Sequence, residues 1–63
     1  MSERASLFRD AILDMTDPVA QRFTFAKYVL GEDNITAAAI AGAFKSEPMD
    51  EREYDYLAER WAA

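Results

Sequence analysis

The stretch that decides the fold is MDEREYDYLAERWA, residues 49–62. Asp50 and Glu53 have the spacing of a capping box, in which each side chain satisfies a free amide at a helix start. Met49 and Tyr54 flank the box as the hydrophobic staple that often accompanies it. The stretch therefore predicts a helix from Glu51 to about Ala62.

One face of this helix repeats apolar residues at the i, i+3, i+4, i+7 spacing: Tyr54, Leu57, Ala58 and Trp61. Such a row normally packs against the rest of the domain. We expect the whole face to be buried, and truncation of a buried Trp61 would cost about 3–5 kcal/mol.

The same signals predict two helices in the first half of the chain. Helix 1 is expected from about Glu3 to Met15, with Ser2 as its cap. Asp17 caps helix 2, which begins at Pro18 because proline loses no hydrogen bond at a first helical position, and it runs to about Leu30. Gly31 supplies the left-handed residue that commonly ends a helix.

Helix 3 is predicted from Ala37 to Phe44. Thr36 is the expected cap, with Ile35 and Ile40 as its staple. Small residues along the helix, including Gly42, would let a neighbouring backbone approach closely. The four helices predict an all-α protein, a small bundle of three to four short helices that forms one domain over residues 1–63.

Helix 2 has apolar residues nearly all round. Phe25, Tyr28 and Val29 lie off its main apolar stripe, so either the helix is central to the bundle or this second face self-associates. A homodimer, or a homo-oligomeric structural or adaptor protein, would follow from the second reading. A strand over residues 22–29 is a competing prediction, which the Asp-Pro opening and the length disfavour.

Composition argues against an enzyme. The chain has 63 residues, no His, no Cys and only two Gly. It therefore lacks the usual proton-transfer group at neutral pH, an activated thiol and a phosphate-binding glycine loop. We expect no catalytic residue, no cofactor and no metal site. A core this small is marginal, so help from a copy or a partner is a fair expectation.

Acidic residues are concentrated in the second half. Four bases balance four acids in residues 1–30, whereas eight acids face three bases from Gly31 onward, and the net charge is −5. We predict a partner-binding acidic patch around helix 4, with an aromatic anchor, at Glu47, Asp50, Glu51, Asp55, Tyr56 and Glu59. The predicted partner is a protein with a basic surface. Whether Glu32 and Asp33 join the patch is left open by the sequence.

Direct binding to nucleic acid is disfavoured. The isoelectric point is near 4.4, and helix 3 has no Arg, Gln or Asn before Lys45 to contact bases. A small helix-turn-helix-like transcription regulator remains an alternative, although Ala26 stands five residues before Gly31 instead of four. The N-terminus has acid beside base and no long apolar run, so we expect a soluble, cytoplasmic protein with no membrane segment.

In size, acidity and lack of catalytic residues, the chain resembles the small inhibitors of phages and mobile elements, such as anti-CRISPR proteins. The resemblance is one of type over the whole chain and carries no residue correspondences. It implies a nucleic-acid mimic that occupies the nucleic-acid-binding surface of a host protein.

Overall fold

The computed structural model describes residues 2–43 and 47–62, and within them all regular structure is helical. In chain order the elements are α1 (Glu3–Leu13), α2 (Pro18–Thr24), a π-helical turn (Phe25–Val29), α3 (Asn34–Ala43) and α4 (Glu51–Trp61). The π-helical turn is called the π segment below. The predicted all-α bundle is confirmed.

Three helix caps follow the prediction, although the capping box of α4 is only half formed, because the described contact of the Glu53 carboxylate is to Arg22. The Ser2 hydroxyl accepts a hydrogen bond from the Ala5 amide at 3.1 Å. The Asp17 carboxylate accepts from two amides in the first turn of α2. The Asp50 carboxylate accepts from the Glu53 amide at 2.8 Å. These caps satisfy amides that have no partner within their own helix, so three of the four predicted caps are confirmed.

The predicted helix 2 is not α-helical throughout. After α2 the Leu30 amide donates to the Phe25 carbonyl five residues back, at 3.1 Å, which is the wide turn of a π-helix. Gly31 then takes a φ of +78°, as predicted, and the chain leaves the helix. The competing strand prediction for residues 22–29 is wrong.

The predicted start of helix 3 is also wrong. The helix begins at Asn34, because Asp33 and not Thr36 is the capping residue. Its carboxylate accepts from the Thr36 amide at 2.7 Å. Ile35 is 84% exposed, so it makes no staple. The cap therefore lies three positions before the predicted residue, and the helix starts earlier by the same number.

Small side chains allow α3 to pack closely on its neighbours, but only on one side of the helix. Ala37 and Ala41 are fully buried where α3 packs on α2 and the π segment. Gly42 is exposed and a Cβ there would meet nothing within 4 Å, so the predicted close approach at Gly42 is wrong. The predicted end of this helix at Phe44 lies outside the described residues.

The core joins α1, the π segment and α4. Its buried apolar members are Ala5, Ile12, Phe25, Val29, Met49, Tyr54 and Ala58. The Tyr54 ring meets the Phe25 ring edge-on with centroids 5.2 Å apart, and the Tyr54 hydroxyl donates to the Ala5 carbonyl. Tyr54 thus connects all three elements by packing and by a hydrogen bond.

A buried amide fixes the turn that leads into α4. Gln21 is fully buried, and its Nε2 donates to the carbonyls of Ile12 at 3.0 Å and Met49 at 3.2 Å. Its Oε1 accepts from the Met49 amide. One side chain on α2 therefore holds both the end of α1 and the start of α4, and orients the α4 surface described next.

Candidate functional site

The solvent-exposed side of α4 is called the outer face, and it carries Glu51, Arg52, Tyr56, Glu59 and Arg60. Tyr56 is 60% exposed. Glu47 and Asp50 precede the helix and are also exposed. Five residues of the predicted partner-binding set are therefore open to solvent: Glu47, Asp50, Glu51, Tyr56 and Glu59.

The sixth predicted residue, Asp55, is turned towards α1. Arg9 Nε lies 2.9 Å from Asp55 Oδ1, and Arg9 Nη2 lies 3.1 Å from Oδ2, which makes a two-bond ion pair. The hydrogen bonds from Arg9 lower the pKa of Asp55, and the same bonds raise the pKa of Arg9. The predicted acidic patch is interrupted at Asp55, because the charge of Asp55 is already compensated by Arg9 within the fold.

A second ion pair joins α2 to α4. Arg22 Nη2 lies 2.7 Å from Glu53 Oε2, and Arg22 Nη1 donates to the Glu47 carbonyl at 2.7 Å. The Arg22 side chain is only 9% exposed. It therefore acts as a fixed connection between the helices and leaves little positive surface.

These two pairs change the predicted charge layout. With Arg9 and Arg22 engaged by Asp55 and Glu53, residues 1–30 keep four acids against two bases, and residues 31–63 keep six acids against three. The predicted contrast between a neutral first half and an acidic second half is thus much reduced at the surface. The whole molecule is acidic, with a moderate excess in the second half.

The predicted self-association surface on helix 2 does not exist as an exposed face. Phe25 and Val29 are buried in the core, because the π segment is covered by α1 and α3. Tyr28 is about half exposed and its ring packs beside Phe8, with centroids 5.6 Å apart. The interpretation of helix 2 as the central helix is the one that its burial favours.

The prediction that Trp61 is core is wrong. Its side chain is 64% exposed, while Tyr54 and Ala58 on the same face are fully buried. The apolar row of α4 is covered by α1 at its beginning. α3 packs on α2 and the π segment instead, so it does not cover the end of the row. Trp61 consequently stands at the edge of an open groove.

This apolar groove has a volume of about 370 Å³ and is lined by six hydrophobic residues: Phe25, Leu30, Ile40, Met49, Leu57 and Trp61. Glu32 and the ion-paired Arg22 and Glu53 complete its lining. Glu32 therefore does lie beside α4, a placement that the sequence left open. The structure gives no such placement for Asp33, whose pKa is lowered by its cap to the Thr36 amide.

The part of the chain that the structure describes offers no group of three acidic side chains placed to hold a metal ion. Within the same residues, no helix is both long enough and apolar enough to cross a bilayer. Tyr54 has a raised pKa because it is buried, and its hydroxyl is bound to a backbone carbonyl. The two surfaces open to a ligand that we consider are the outer face and the apolar groove.

Comparisons of the chain with protein-family models, with curated proteins and with solved structures find no match.

Sequence reasoning missed the residues that shape both surfaces. Gln21 and Arg22 are buried polar residues on a helix whose pattern looked apolar. Arg9 pairs with a residue 46 positions away, and Arg22 with one 31 positions away. No local spacing signals such a contact. The only available signal was the presence of arginines on helix faces that are otherwise apolar.

The Arg9–Asp55 pair predicts a pH-dependent contribution to stability. Because the folded state lowers the pKa of Asp55 below its ordinary value of 3.8, the pair stabilises the fold fully above that pH. Its contribution is lost as the pH falls through the lower, folded-state value. Asp55→Asn should reduce the thermal midpoint near neutral pH, and the difference from wild type should shrink at about pH 2.

Thermal unfolding followed by circular dichroism at both pH values measures this effect. Asp10→Asn is the matched control, because Asp10 is exposed on α1 and belongs to neither ion pair. A difference between Asp55→Asn and wild type that stays constant from neutral to acid pH would contradict the assignment.

Proposed function

We propose that the chain is a non-enzymatic protein-binding module that acts by stoichiometric association with a basic surface of another protein. The observation that carries the proposal is the exposed aromatic ring of Tyr56 on the outer face, which also carries Glu51 and Glu59, with Arg52 and Arg60 one turn before and after the ring. Exposed Tyr within a polar rim is typical of protein interfaces, where the ring supplies contact area and the charges supply orientation.

The acid excess supports a basic partner. Each of the two arginines engaged inside the fold is balanced by one acid, so the net charge of −5 stays with the other charged groups and attracts cationic groups of a partner. Glu51 and Glu59 lie two helical turns apart on the outer face, about 12 Å along the axis. This spacing suits separated Lys or Arg side chains on a partner.

A protein surface that holds nucleic acid is the target class that we favour. Such surfaces are basic, and a module that occupies one would block the nucleic acid by competition. The resemblance in type to phage-encoded inhibitors points the same way. The α4 carboxylates are sparser than the phosphates of a strand, which lie about 3.4 Å apart, so the mimicry would be partial.

Charge reversal on the outer face tests the proposal. The tagged chain is used to capture a host protein, and the purified pair is then titrated by calorimetry. We expect one chain per binding site, affinity that falls with salt, and Glu51→Lys with Glu59→Lys to weaken binding about tenfold or more. Exposed ion pairs are worth about 0.2–1 kcal/mol each, and reversal adds repulsion to their loss.

The matched control is Asp10→Lys with Asp14→Lys, which changes the net charge equally on exposed positions of α1 and its C-terminal cap. It should leave affinity within about threefold of wild type, because distant surface charges are screened by salt. Equal weakening by the two double variants would show a general charge effect and would overturn the assignment to α4.

A further inference from the structure

The apolar groove brings together two apolar side chains of α4, Leu57 and Trp61. Trp61 is a large aromatic side chain left mostly in water, and the described contact to its ring is from the Arg60 guanidinium, 5.5 Å from the ring centre. Leu57, one turn earlier on α4, faces the same groove. Together they offer a continuous apolar strip along one side of α4, of the kind that receives bulky side chains of a helix.

The charges around the groove indicate what could occupy it. Glu32 lines the groove and takes part in neither of the ion pairs among the described residues. Glu53 also lines it, with its charge balanced by Arg22. Among the described residues, the groove therefore combines apolar walls with one carboxylate that neither ion pair engages, in a molecule whose net charge is −5.

This charge favours a basic partner over a second copy. A second copy would bring another charge of −5 and would face acids with acids. A helix with an apolar row and flanking Lys or Arg would fill the groove and place a cation against Glu32. Helices of this kind are recognised through anchors at i, i+3, i+4 and i+7.

We infer that the apolar groove is the docking site for a basic amphipathic helix of the partner protein. Bulky apolar side chains of that helix pack on Leu57 and Trp61, and a Lys or Arg next to them pairs with Glu32. This inference rests on the proposed function for the basic nature of the partner. It adds a second contact surface, the apolar groove with Leu57 and Trp61, which lies on a different side of α4 from Tyr56.

Three synthetic peptides of about 14 residues, roughly four helical turns, test the groove. The first has Leu at i, i+3, i+4 and i+7 with Lys on the flanks. The second keeps the Leu row but has Glu for Lys, and the third keeps Lys but has Ser for Leu. Binding is followed by the fluorescence of Trp61, the sole Trp of the chain, and by amide shifts of the isotope-labelled protein.

We expect the first peptide to shift Trp61 emission to the blue and to perturb α4 and Ile40, and each of the others to bind at least tenfold more weakly. Trp61→Ala should weaken the first peptide about tenfold, as read from the amide shifts. Leu7→Ala is the matched control, because it removes a similarly exposed large apolar side chain from α1 that does not line the groove. It should change affinity less than twofold.

Circular dichroism establishes that both variants keep the helical fold, as their exposed side chains predict. Equal binding of the Lys peptide without Leu, or equal loss in the two variants, would overturn the groove assignment. So would nuclear Overhauser contacts in the free protein between residues 44–46 and Trp61, because the chain would then fill its own groove. If the free protein forms a dimer that Trp61→Ala abolishes, the occupant of the groove is a second copy of the chain and not a helix of a partner.

Different experimental results would refute the groove assignment and the proposed function. If charge reversal on the outer face weakens partner binding while Trp61→Ala does not, the groove is dispensable and the module stands. If neither set of variants affects a stoichiometric complex, both assignments are wrong.

Discussion

Tyr54→Ala is expected to leave the chain mostly unfolded under conditions where wild type is folded. Tyr54 is fully buried, packs on Phe25 and hydrogen-bonds to the Ala5 carbonyl. Truncating a buried aromatic costs about 3–5 kcal/mol. At about 0.05–0.15 kcal/mol per residue, the stability available to 63 residues is about 3–9 kcal/mol. Urea unfolding followed by circular dichroism measures the loss.

Two companion variants show how much of this loss comes from the Tyr54 hydroxyl, and how much comes from placing Ala on this face of α4. Tyr54→Phe keeps the packing and should cost about 0.5–1.5 kcal/mol, the net contribution of one hydrogen bond, because the Ala5 carbonyl lies within α1 and keeps its helical donor. Trp61→Ala removes an even larger ring from the same face of α4 and should cost under about 1 kcal/mol, since that ring is mostly in water. A larger cost for Trp61→Ala than for Tyr54→Ala would contradict the assignment of Tyr54 as buried and of Trp61 as exposed.

Gln21→Leu is expected to destabilise the fold by about 2–5 kcal/mol, despite replacing a polar residue in the core by an apolar one. The side chain serves three backbone groups, namely the Ile12 carbonyl and both the amide and the carbonyl of Met49. The Ile12 carbonyl keeps the Met15 amide as a donor, whereas both Met49 groups lose their partner, and each buried group left in this way costs about 1–3 kcal/mol. Denaturant unfolding at neutral pH measures the change in the free energy of unfolding.

Gln21→Glu tests whether hydrogen bonding, and not shape, is responsible. An ionised carboxylate there would face two carbonyl oxygens in a buried site, so its pKa should be raised in the folded state. The variant should be strongly destabilised at neutral pH. Relative to wild type it should recover as the pH falls towards the ordinary carboxyl value, because the protonated acid can donate. A deficit that does not depend on pH would contradict the role given to the Gln21 amide.

Local chemistry in the sequence is sufficient to predict most of the helices. Ser2, Asp17 and Asp50 cap the helices as their positions suggest, and Gly31 has the positive φ expected after a helix. Each of these features depends on residues within a few positions of one another. The failure at α3 is of the same local kind, because the helix is capped by Asp33, three positions before the predicted Thr36.

Features that depend on the tertiary arrangement could not be predicted in this way. Periodicity places Tyr54 and Trp61 on one face of a helix, but it does not show how far along that face the neighbouring helices extend. The buried Gln21 amide has partners in two other segments. The π segment likewise depends on packing from both sides, and no residue type marks it in the sequence.

The predictions of surface charge were the least accurate, because they depend on contacts between residues that are distant in sequence. Counting charges by position along the chain gives an acidic second half, whereas Asp55 and Glu53 are matched by arginines from the first half. Of the predicted acidic patch, the outer-face residues Glu51 and Glu59 remain open, with Tyr56 between them in sequence. The surface that supports the proposed function is smaller than the sequence suggested, and the groove beside it was not expected.

The most direct test of the proposed function is an amide-shift titration of the isotope-labelled chain with its captured, purified partner. We expect the changes to saturate at one equivalent and to concentrate in α4, around Tyr56 and Trp61, with α1 little affected outside the Arg9 contact. Changes concentrated on the exposed side of α1, around Asp10 and Asp14, or changes that never saturate, would contradict binding through α4.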